Sequence, residues 1–131
     1  MNRIFLPLIA VALAPFAASA EGFSSGYVTG FNSEAECMDT ARNSLDAHFR
    51  ENGGTPDTGE GSYSIYGFDV PPGITQVAIV CSEHDGSVVA TVTGYSLVEN
   101  GTRLETVQTM IDRINGTFAP ALPTNPPAGN K

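Results

Sequence analysis

Hydrophobic residues along the chain recur at a spacing of two in some stretches and of three to four in others, and the changes of period mark its elements. Gly26-Tyr27-Val28-Thr29-Gly30-Phe31 is aromatic and β-branched and predicts a first strand. Ser33, with Glu36 three residues on, forms a capping box, so a helix should start at about residue 34. Within it Cys37, Met38, Ala41, Leu45, His48 and Phe49 recur at helical spacing, while Glu34, Asp39, Arg42, Asn43, Asp46 and Arg50 take the other positions. One face is therefore apolar. Asn52-Gly53-Gly54 ends the helix, and residues 55–61 read as a polar loop.

Residues 62–70 carry Tyr63, Ile65, Tyr66, Phe68 and Val70 and predict a second strand; Pro71-Pro72-Gly73 then enforces a turn. Residues 76–83 and 88–97 are two further strands. Asp85-Gly86 between them tolerates positive φ and suits a type I′ hairpin. Residues 102–105 repeat the capping box, and Leu104, Val107, Met110, Ile111 and Ile114 give the stripe of a second helix that stops at Gly116. Pro120, Pro123, Pro126 and Pro127 leave little to bury, so residues 117–131 are expected to form a disordered tail. The order βαβββα predicts an α+β two-layer sandwich, with a four-stranded, mainly antiparallel sheet and two helices on one face.

If Asp85 and Gly86 form the turn, Cys81 faces Ala90, Ile79 faces Val92 and Val77 faces Gly94. Alternation then puts Val77, Ile79, Cys81, Val88, Ala90 and Val92 on one face and Val80, Ser82, His84, Thr91, Thr93 and Tyr95 on the other. Cys37 lies on the apolar stripe of the first helix and Cys81 on the apolar face of the hairpin. Two independent patterns thus bring both thiols to the helix–sheet seam and predict a Cys37–Cys81 disulfide.

The first twenty residues change the compartment. A charged start with Arg3, an apolar run through Ala14 and the small-residue motif Ala18-Ser19-Ala20 read as a signal peptide cut between Ala20 and Glu21. The run is too short to span a bilayer. A single domain over residues 21–116, in the periplasm or outside the cell, is the expectation, with no membrane insertion after processing. Two cysteines in such an oxidising space pair by default.

The formal net charge is −8, one unit more negative once Arg3 is removed. So acidic a chain is repelled by phosphate backbones and anionic lipid, which argues against nucleic acid as a partner.

Among candidates for chemistry, Cys81 and His84 are three strand positions apart and point to opposite faces, so they form neither a metal pair nor a nucleophile and base. A disulfide at Cys37 places the helix start at the hairpin tip and sends His48 to the far end, away from His84. Glu51, Asp57, Glu60 and Asp69 surround the glycine-rich loop and are the candidate ligands for a hard cation such as calcium or a lanthanide, although no EF-hand pattern is present. No phosphate-binding glycine motif or serine-nucleophile elbow occurs, and no cofactor is indicated. Tyr66, Thr91, Thr93, Tyr95 and His84 form the candidate binding surface on the mixed sheet face, for a protein, a small molecule or a second copy of the chain. A non-enzymatic binding or accessory protein is the leading expectation, and an acidic metal-binding protein the alternative.

Overall fold

A computed structural model describes residues 22–96 and 102–116. The expected signal peptide, the Asn100-Gly101 break and the proline-rich tail lie outside the described residues. The element order is β1 (Gly22–Phe31), α1 (Glu34–Glu51), β2 (Thr58–Glu60), β3 (Ser64–Val70), β4 (Thr75–His84), β5 (Ser87–Ser96) and α2 (Arg103–Ile114). The class is α+β, as expected, but the sheet has five strands and not four. The extra strand, β2, sits inside the stretch read as a polar loop. Three residues with no apolar side chain carry no period; β2 exists because Thr58, Gly59 and Glu60 pair with Gly67, Tyr66 and Ile65.

All pairings are antiparallel, in the spatial order β1-β5-β4-β3-β2, so the first strand lies beside the last. The central hairpin has the register read from the pattern: Cys81 pairs with Ala90, Ile79 with Val92 and Val77 with Gly94. Asp85 and Gly86 adopt φ of 49° and 76°, the left-handed values that a type I′ turn requires.

Both helices cover the face that bears Val28, Ile65, Val77, Ile79, Cys81, Val88, Ala90 and Val92, all buried. α1 lies over β3, β4 and β5, and α2 over β1 and β5. Ser33 caps α1: its hydroxyl accepts from the Glu36 backbone N–H at 3.1 Å. The Glu36 carboxylate reaches one residue further back than a standard box, to the backbone N–H and side-chain amide of Asn32. The predicted stripe of α1 is entirely buried, with Ser44 added to it.

The second capping box does not form. Thr102 has nearly helical backbone angles, φ −68° and ψ 14°, and its side chain makes no cap hydrogen bond. Its hydroxyl lies instead over Gly73, where a Cβ would come within 2.5 Å of it. Leu104 also departs from expectation. The buried line of α2 is Thr106, Val107, Met110 and Ile114, which turns Leu104 outward.

The disulfide Cys37–Cys81 is present, with a Cα–Cα distance of 6.0 Å and both residues fully buried. It joins the first turn of α1 to β4 near the hairpin tip. α1 therefore runs from the tip toward the other end of the sheet, where His48 donates from Nε2–H to the Pro71 carbonyl at 2.6 Å. His84 is at the tip, and at about 3.4 Å per residue the length of β4 separates the two imidazoles by roughly 30 Å.

Candidate functional site

The face of the sheet turned away from the helices is assembled in cross-strand rows. At the end remote from the hairpin tip, Phe23 pairs with Tyr95 and Tyr95 with Gln76. The next row is Ser25, Thr93, Ala78, Tyr66 and Gly59, and the one after it Tyr27, Thr91, Val80 and Ser64. Thr29, Val89 and Ser82 follow, and His84 closes the face at the tip. The pleat alone puts these side chains together, because directly paired residues on antiparallel strands share a face.

Tyr66, Thr91, Thr93, Tyr95 and His84 thus occupy one surface, as the alternation predicts. Sequence reasoning missed Phe23, Ser25 and Tyr27 as members of it. Their strand carries the right alternation, but nothing local says that β1 lies next to β5.

The strand positions on this face supply aromatic rings, hydroxyls, small aliphatic groups, one amide and one imidazole. None of them is Asp, Glu, Lys or Arg among the described residues. One carboxylate reaches a corner: Asp69, at a positive φ of 49° in the irregular end of β3, accepts from the Gln76 side chain at 2.7 Å. In a chain with formal charge −8, the other acidic groups among the described residues lie off this face, on the helices, the loops, and strand positions such as Glu60 and Glu83 that point the other way.

Several contacts hold the face in shape. The Phe23 and Tyr95 rings lie 4.8 Å apart, the Ser25 and Thr93 hydroxyls are 3.0 Å apart, and the Ser64 hydroxyl donates to the Tyr66 oxygen at 2.8 Å. Between Tyr27 and His84 is a shallow concavity of about 420 Å³, lined also by Ser25, Ser82, Val89 and Thr91. Hydroxyls and an imidazole can donate or accept there, beside apolar ring and methyl surface. That chemistry suits an uncharged surface or molecule with scattered polar groups.

The four loop carboxylates are placed differently. Glu51 pairs with Arg113, Glu60 with Arg42, and Asp69 with Gln76. The Arg113 hydrogen bond holds the Glu51 carboxyl below its ordinary value, and the Glu60 and Asp39 carboxylates raise that of Arg42. Asp57 lines a separate concavity of about 280 Å³ with Asp69, Phe49 and Pro71. Among the described residues no group of three or more His, Cys, Asp or Glu side chains converges on a metal position.

His48 is buried, and burial is the main force pushing its imidazole below the ordinary value, against the pull of the Pro71 hydrogen bond. With Nε2 carrying the proton, Nδ1 is bare and meets no hydrogen-bond partner among the described residues. His48 is a neutral core group, and no carboxylate is hydrogen-bonded to it as the orienting partner a catalytic histidine uses. Among the described residues no helix is long and apolar enough to cross a membrane. Comparison with protein-family models, characterised proteins and solved structures found no match.

Proposed function

We propose that the chain is an exported, non-enzymatic binding or accessory protein, periplasmic or secreted, that engages its partner through the open sheet face. The observation that carries this reading is the absence of Asp, Glu, Lys and Arg from the paired strand positions of that face, with Asp69 at one corner, combined with the aromatic rings of Phe23, Tyr27, Tyr66 and Tyr95, in an otherwise acidic molecule. Depletion of charge together with enrichment in tyrosine and phenylalanine is the compositional mark of an interface core. A merely solvated sheet face has no need to exclude lysine and glutamate, which are the usual occupants of wet positions.

Export is supported by the leader-like residues 1–20 and by a disulfide that an oxidising space would maintain. The non-enzymatic reading is supported by the separation of the two histidines and by the commitment of His48 to the core.

The test is affinity capture with the processed chain, residues 21–131, compared with the face variants Thr93→Asp and Tyr95→Lys and with the helix-side variant Leu104→Lys. A partner or ligand retained by the parent and the helix-side variant, and lost by both face variants, supports the reading. Capture indifferent to the face variants, or turnover of a substrate by the purified chain, overturns it.

A further inference from the structure

β1 is one edge of the sheet: it pairs with β5 and with no other described strand. An edge presents a row of backbone N–H and C=O groups, and proteins shield such rows with short strands, lysine, proline or a covering element. The opposite edge follows that practice, because β2 has three residues and its Glu60 is held by Arg42. β1 runs for ten residues with neither a charge nor a proline. Among the described residues its protective devices are the irregularity at Gly30, φ 100°, which leaves residues 22–29 regular, and the Arg103 guanidinium over Gly22 at its start.

The three most exposed large hydrophobic side chains among the described residues border this edge. Phe23 and Tyr27, 73% and 71% exposed, rise from β1 on the open face. Leu104, 70% exposed, borders it on the helical side. It is seven residues before Ile111 and so on the same flank of α2, and Ile111 packs directly on Gly26 of β1. A long edge strand with so little shielding among the described residues, and with apolar groups on both sides, suits the addition of another strand.

We propose that β1 is an inter-chain pairing strand, through which two copies of the protein join antiparallel about a two-fold axis into one ten-stranded sheet. Self-complementarity points to a second copy as the occupant. Two chains of formal charge −8 repel, and β1 is where they can meet without setting carboxylate against carboxylate, because neither strand carries a charge there. An antiparallel strand pair is also its own complement under a two-fold rotation, so the apolar border of each chain gains a partner from the other. The paired strands and six apolar side chains withdraw on the order of 1,000 Å² from water, near the lower bound for a specific interface and in keeping with a reversible dimer. Ser25 and Tyr27 wall the concavity described above, so the second chain extends the floor of that site. The proposal does not depend on what the open face binds.

The experiment is sedimentation velocity on the processed chain from micromolar to millimolar concentration, for the parent and for Ser25→Lys, Tyr27→Lys and Phe68→Lys, with circular dichroism to verify folding. A dimer in the parent and in Phe68→Lys, weakened about tenfold or more in both β1 variants, supports the proposal. Tyr27→Lys stands alone as the test if Ser25→Lys fails to fold. A monomer at every concentration overturns it, including one whose β1 amides resist hydrogen exchange because another part of the same chain covers them. Phe68 lies beside Gly59 and Tyr66 on the open face, away from β1, so a dimer broken by Phe68→Lys but not by the β1 variants puts the contact on that face and equally overturns the proposal.

Discussion

Phe23 and Tyr95, 72 positions apart, stack across the β1–β5 pair with ring centroids 4.8 Å apart and planes inclined by 34°. The tilt keeps the negative face of one ring away from that of the other. The pair ties the first strand to the last at the end of the sheet away from the hairpin tip. A double-mutant cycle with Phe23→Ala and Tyr95→Ala should give a coupling of about 0.5–1.5 kcal/mol in denaturant unfolding. A coupling near zero would mean that the rings merely share a surface.

Replacing both cysteines, Cys37→Ala with Cys81→Ala, should lower unfolding stability by about 4 kcal/mol, because the bridge closes a loop between positions 44 apart in sequence. Urea titration of the oxidised parent against the variant measures this. For a domain of this size that is a large share of the total, so reduction should bring the midpoint close to ambient conditions.

Gly94→Ala should destabilise by about 1–3 kcal/mol, although alanine is the smallest addition available. A Cβ there would lie 2.6 Å from Val107 Cγ2 and 3.2 Å from Thr75 Cγ2, with the backbone of Arg103 behind them. The same substitution at Gly53, where no atom lies within 4 Å, meets no crowding, and its cost there comes from the positive φ of 75°. Thermal unfolding of the two variants separates the steric cause from the conformational one.

Stability should fall as the pH drops below 6.5, the ordinary value of a histidine. The fold holds His48 neutral and lowers its proton affinity, so between the folded value and 6.5 the unfolded chain binds the extra proton and gains on the native state. Above 6.5 this contribution is complete and flat. Glu51 acts in a lower window: Arg113 depresses it below its ordinary 4.5, and its contribution, present above 4.5, is lost as pH falls through the folded value. His48→Gln keeps a donor for the Pro71 carbonyl and should flatten the upper slope while leaving the acid one. Unfolding midpoints across the acid range for parent and variant check both signs.

The disulfide, the hairpin register, α1 and the shared face of Tyr66, Thr91, Thr93, Tyr95 and His84 were legible because each follows from a period with no competing choice. What escaped prediction depends on neighbours distant in the chain. β2 is a strand only because β3 passes beside it, and Phe23 joins the open face beside Tyr95 only because β1 closes against β5. Thr102 and Glu105 have the residue types of a capping box, yet the crowded Gly73 turn draws the threonine hydroxyl away from the helix start. Leu104 fits the apolar stripe by spacing, but the narrow contact line of α2 on glycines 26 and 94 leaves it outside.

The bond between α1 and β4 also decides what a protease can accomplish. The turn after α1 and β2, with most of the residues around them exposed, fall between the two joined positions. A cut there yields two peptides that remain one covalent object, with the severed ends still gathered on a common sheet. A nicked molecule would run as a single species until a reductant is added, so cleavage in this exposed segment releases nothing.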